Sequence, residues 1–178
     1  MNKIIYFSIF TLLSGNLLSQ TYSSLGRVEL GGQGLEIGYS HLLSNATFVK
    51  ISGGIGAGYN VNDGSAEYIF SFNNPVPFIK GSLNYFYNKE KRLSKNKSID
   101  NNSGNFWGVQ TKYSFGSEKD IELNKTLLTE LHWGLQRSLG GNFFFNSHLG
   151  IGYLYDYKVK NGSITPTVGL SFGYNFNK

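Results

Sequence analysis

The stretch ITPTVGLSFGYNFNK, residues 164–178, carries a strict alternation. Ile164, Pro166, Val168, Leu170, Phe172, Tyr174 and Phe176 are apolar or aromatic, and Thr165, Thr167, Gly169, Ser171, Gly173 and Asn175 between them are small or polar. A period of two over this length describes an extended strand with one bulky face and one small, polar face. What each face meets decides the fold.

The same pattern recurs upstream, and turn-forming clusters divide it. Alternating stretches run over 22–31, 34–43, 47–59, 77–87, 105–116, 126–137, 143–157 and 164–176. GGQG, LSNA, SLGGN and KNGS supply tight turns, and longer polar segments lie at 60–76, 88–104 and 117–125. The count is eight, although residues 25–43 also read as one bent strand. An even number suits a single-chain antiparallel barrel, whereas seven strands would leave an unpaired edge. No segment after the N-terminus has helical periodicity, and no apolar run approaches the 18 or so residues of a spanning helix.

Composition narrows the class. The 178 residues fit one domain; Gly is frequent (23), Pro is rare (3), and aromatics make up 16%. The absence of Cys excludes disulfides, thiolate metal sites and a lipidated N-terminal cysteine. The formal charge of +5 comes from 16 Lys and Arg against 11 Asp and Glu. The densest cationic run, NKEKRLSKNK at 88–97, falls in an inter-strand segment, and no nucleic-acid-binding groove or recognition helix can be traced. The N-terminus, MNKIIYFSIFTLLSGNLLSQ, has the cation, short apolar run and small residues of a secretory signal. The expected division is a cleaved signal peptide over 1–19 and a barrel domain over 20–178.

Two arguments orient the barrel wall. Along the bulky faces the only charge in register is Arg137, at a turn. A Lys or Arg at a bilayer midplane costs about 2–4 kcal/mol, and far less near the interface. The interior of an eight-stranded barrel is also only wide enough for a filling of side chains, so this many Tyr, Trp, Leu and Ile cannot fit inside. The opposite faces carry Gly38, Ser40, Ser52, Gly54, Gly108, Gly134, Gly150, Gly152, Gly169 and Gly173, which suit a crowded lumen. The bulky face therefore looks outward, toward lipid. Tyr59, Tyr87, Trp107 and Tyr157 near strand ends suit aromatic girdles.

The export signal, the eight alternating strands and the closing GLSFGYNF together resemble the small outer-membrane β-barrel family, with its OmpA-type and OmpX-type members. The resemblance implies an all-β, up-and-down antiparallel transmembrane barrel in the bacterial outer membrane, contacting outer-membrane lipid. It also implies an assembly signal, read by the barrel-assembly machinery, at Gly169, Phe172, Tyr174 and Phe176. Asn177 and Lys178 follow the terminal aromatic, a departure from the family pattern.

The inward parity collects Arg27, Glu29, Glu36, Lys50, Lys80, Lys112 and Glu130. Buried charges persist when paired and hydrogen-bonded, so a lumen plugged by an ionic network is expected rather than a wide pore. His132 and His148 join them, and pairing with an index sum of 280 would set the two histidines opposite each other, with Glu130 one inward step away. A polar lumen cluster is the expected reading; two His and one Glu leave further ligands unidentified, so no metal and no cofactor is assigned. No catalytic residue is assigned either: Ser147 and His148 point to opposite faces. His41 ends a strand at an interface. The expected role is structural, or an interaction through loops with an envelope protein or polymer. A narrow channel or porin-like transporter is the second expectation, and a lipid-modifying enzyme the third.

Overall fold

The computed structural model describes residues 22–176, apart from 63, 72, 119 and 120. The expected signal peptide, residues 1–19, and the two residues after Phe176 lie outside the described residues.

Eight strands close into one antiparallel barrel: β1 (Leu25–Gly31), β2 (Gly34–Ser44), β3 (Thr47–Gly56), β6 (Val76–Phe86), β7 (Gly104–Ser114), β8 (Thr126–Gly140), β9 (Phe143–Asp156) and β10 (Asn161–Asn175). Between β3 and β6 a separate hairpin forms from β4 (Gly58–Asn62) and β5 (Ser65–Ile69). Each barrel strand pairs with its sequence neighbour in the wall, and β1 closes on β10 through Val28 opposite Tyr174 and Leu30 opposite Phe172. β1 and β2 are distinct strands, joined by a tight turn in which Gly34 holds a positive φ of 118°. Followed once around the barrel, the register advances by about twelve residues, so the strands lean steeply against the axis.

The alternation orients the wall as the sequence implies. Ile51, Ile164 and Val168 are 71%, 72% and 68% exposed on the outer face, whereas Glu36, Lys50, Lys112, Glu130 and Thr167 are buried inside. The closing strand follows suit: Phe172, Tyr174 and Phe176 point outward, and Gly169 and Gly173 point inward.

Three local features depart from expectation. Residues 60–76, read as a polar loop, contain most of the β4–β5 hairpin, because Tyr59 and Val61 alternate with polar partners over too short a length to stand out. Residues 88–104 are not a plain loop but fold into a short helix, α1 (Lys89–Leu93), and a 3-10 turn over Asp100–Asn102. The β8–β9 register has an index sum of 282 rather than 280. The chain turns late, at 141–142 between Gly140 and Phe143, where Gly140 and Gly141 take positive φ. That turn alone gives a sum of 283, and a bulge between Ser138 and Gly140 brings it back to 282 along the rest of the ladder.

Both barrel ends are covered. At the end that carries the start of β1 and the end of β10, Tyr22, Phe48, Phe86, Phe106 and Ile99 form an apolar cluster under the 87–103 segment. The Asn101 amide reaches Ser138 Oγ and the carbonyls of Gly141 and Phe143, and Asn175 donates to Asn101 Oδ1. At the other end Tyr59, expected in an outer girdle, is instead buried, because it belongs to the hairpin and not to the wall; it and Val61 pack on Leu128 and Leu154. The buried Asp156 carboxylate accepts from the Val61 and Lys158 amides and from Asn124 Nδ2. Among the described residues no helix is long and apolar enough to cross a membrane.

Candidate functional site in the barrel lumen

Alternation sends one residue in two inward, and the antiparallel ladder stacks those side chains into layers. The apolar rings of the two ends leave a polar middle layer that holds the charges singled out from sequence.

Five of them form one chain of ion pairs. Arg27 meets Glu29 at 3.6 Å, Lys50 bridges Glu29 and Glu36 (2.5 Å to the latter), and Lys80 pairs with the other oxygen of Glu36. Ser171 donates to Glu29 Oε2 at 2.8 Å, and Arg27 donates to Gln136 Oε1 while its guanidinium lies over the Phe144 ring, 4.5 Å from its centre. Ions removed from water this thoroughly stay ionised only with such mutual compensation.

Lys112 and Glu130 stand outside that chain. The Lys112 ammonium sits 4.3 Å from the centre of the Phe78 ring and 5.1 Å from that of Tyr59, with the Ala57 carbonyl at 3.5 Å. It is held by aromatic faces and a backbone dipole. Glu130, buried in β8, accepts from Gln110 Nε2 at 3.2 Å.

Glu130, His132 and His148 do come together, by a route different from the expected one. In this register His132 lies opposite Gly150 and His148 opposite Gly134. The imidazoles meet diagonally across the two strands, with ring centres 4.6 Å apart. His132 Nδ1 is 3.1 Å and His148 Nε2 is 3.2 Å from the same oxygen, Glu130 Oε1. Glycines make the room: a side chain at Gly108 would overlap His132 and Asn84, and one at Gly169 would overlap the His148 ring.

Several residues of this layer were not singled out from sequence. Asn84, Gln110, Gln136 and Thr167 share the inward parity of their strands, so alternation could have found them. Asn101 and Asn102 of the 3-10 turn could not be found that way. Phe48, Phe78, Phe86, Phe106 and Phe144 also point inward, among the small residues of that face, and plug the ends. Between the layers a cavity of about 70 Å³ remains, bordered by Glu29, Lys50, Gln136, Asn146, His132 and His148. His41 lies on the outer face with Ser24 Oγ at 3.4 Å, and Ser147 and His148 of β9 face opposite sides of the wall. No family model, curated protein or solved structure matches the chain.

Proposed function

We propose that this chain is an integral protein of the bacterial outer membrane, a non-enzymatic barrel with a plugged lumen whose role is structural or carried by its end segments. One observation carries the reading. The outer face is an aliphatic belt (Ile37, Ile51, Ile79, Leu83, Val109, Leu131, Leu149 and Val168) between two rings of aromatics. Tyr85, Tyr87, Trp107, Phe143 and Tyr174 ring the end where β1 starts and β10 finishes, and Phe115, Tyr153 and Tyr157 ring the other. Water would not tolerate so large a continuous apolar surface, whereas hydrocarbon flanked by two interfaces favours this order. Strands of 11 residues such as β2, β6 and β7, tilted by about 45°, rise roughly 25 Å, the height of an outer-membrane apolar band. Closure leaves no backbone edge in hydrocarbon.

Arg137, the one barrel-strand cation with outward parity, supports the same placement. It sits at the end where β1 starts and donates to the carbonyls of Gly104 and Gln136 and to Asn105 Oδ1. With that end periplasmic, the exposed Lys91 of α1 and Lys95 and Lys97 after it face the periplasm and are placed to meet an anionic envelope polymer or protein. The capped ends and the small cavity argue against a continuous solute path.

Spin labels at Val109, Leu131 and Leu170 test the reading. Collision with lipid-soluble oxygen rather than a water-soluble nickel chelate is expected at all three. The opposite preference would make the protein a soluble barrel and overturn the proposal.

A further inference from the structure

Four buried polar atoms without a hydrogen-bond partner gather at one place in the lumen: Glu130 Oε2, His132 Nδ1, His148 Nε2 and Thr167 Oγ1. The two imidazole nitrogens approach Glu130 Oε1 closely, yet in directions that make no hydrogen bond to it. One ligand atom from each of Glu130, His132 and His148 lies within 4.8 Å of the others. We propose that these three side chains bind a divalent transition-metal ion, with zinc the favoured species.

The chemistry of the donors points there. Two imidazoles and one carboxylate suit zinc, iron, nickel or copper rather than calcium or magnesium, which take oxygen ligands. Metal–ligand bonds of about 2.0–2.2 Å set neighbouring donors about 3 Å apart. Two of the three donor separations, 3.1 and 3.2 Å around Glu130 Oε1, have that spacing, and the two imidazole nitrogens lie within 4.8 Å of each other.

The surroundings supply what a metal site needs beyond its ligands. Asn84 Oδ1, an acceptor 3.3 Å from His132 Nε2, keeps the hydrogen on Nε2 and leaves the Nδ1 lone pair for the ion. Gln110 Nε2 orients Glu130. Three protein ligands leave open positions, and the adjoining cavity has room for coordinated water. Thr167 Oγ1 lies against the same side of Gly150 as His132.

Charge balance supports an ion here. Glu29 and Glu36 are compensated by Lys and Arg, but among the described residues Glu130 has only the two histidines within ion-pair distance. A bound cation neutralises that buried carboxylate and gives both imidazole nitrogens a partner. The inference rests on the lumen geometry and holds whether or not the barrel sits in a membrane.

The test uses the full chain refolded in detergent, stripped over chelating resin and titrated with cobalt(II). Heat-modifiable gel migration reports that the barrel is closed. Expected is one equivalent of cobalt with ligand-field absorption bands, displaced by zinc. Glu130→Gln and His148→Gln lower the affinity at least 100-fold, Asn84→Ala lowers it about 10-fold, and His41→Ala leaves it unchanged. Should a variant fail to close, NMR of the wild-type imidazoles decides: zinc must shift His132 and His148 together and spare His41. A closed barrel that takes up no cobalt, a closed His148→Gln barrel that binds like wild type, or shifts at His41 alone would each overturn the site.

Discussion

Gly169 and Gly81 both sit in strand interiors, but they have opposite tasks. Gly169 faces the lumen, and its missing Cβ is the space occupied by the His148 ring. Gly81 faces outward, with nothing within 4 Å of where a Cβ would sit. Gly169→Ala is therefore expected to push the ring out of its place and cost about 1–3 kcal/mol through overpacking. Gly81→Ala should be neutral or add up to about 1 kcal/mol, since it removes only unfolded-state freedom. Denaturant midpoints of the two variants in detergent measure the contrast, and equal midpoints would refute the lumen packing described. Glu36 is a second test at this scale. It accepts from both Lys50 and Lys80, so Glu36→Gln leaves two buried ammonium groups short of a partner. A loss of about 3–5 kcal/mol is expected from breaking a buried network on one side, measured as a lowered unfolding midpoint.

At the scale of elements, the strands were legible because a period of two is written into nearly every one of them. Parity also put the seven named charges on the inner face, since a single exposed face fixes the register of the whole strand, but it passed over Asp156, buried at the end of β9. The offset of the β8–β9 pairing was not legible. It depends on where within Ser138–Asn142 the chain turns: two consecutive positive φ values at Gly140 and Gly141 put the turn late, and a one-residue bulge recovers only part of the shift. Yet the histidines still meet, because imidazoles reach diagonal as well as direct neighbours. The end caps were hidden for another reason: α1 is five residues long, too short to show a helical period, and its segment reads as a charge run. The contacts that hold the cap come from elsewhere in the chain. Tyr22 lies under it, donates to the Ser103 carbonyl at 3.0 Å and packs on Phe48 and Phe86. Burial pushes the Tyr22 phenol up to about 12. In the unfolded chain it ionises near 10. Between roughly pH 10 and 12 the unfolded state thus sheds a proton that the folded cap keeps, and stability falls as pH rises through that window. Below pH 10 both states are protonated and the contribution is fully present. Tyr22→Phe should flatten the alkaline decline relative to wild type, while losing the bond to Ser103 at all pH values. Unfolding midpoints at pH 8, 10 and 11.5 separate the two effects.

For the molecule as a whole, three layers fill one barrel: aromatic plugs at both ends and an ionic and imidazole layer between them. Either cap alone would block a wide path, and the ion-pair chain blocks the middle. The expected behaviour in a planar bilayer is thus silence, even though the wall has the closure of a pore. Deleting residues 89–100 removes α1 and the basic segment, but leaves Phe48, Phe86 and Phe106 in the mouth and the Glu29–Lys50–Glu36–Lys80 chain beneath it. That deletion alone should still give no steady conductance. Combining it with Glu29→Ala, Lys50→Ala and Glu36→Ala empties the middle layer as well, and brief or noisy openings are then expected. Steady single-channel steps from the unaltered barrel would mean that the loops and the ion pairs move aside together. The sealed-lumen account would then give way to that of a narrow channel.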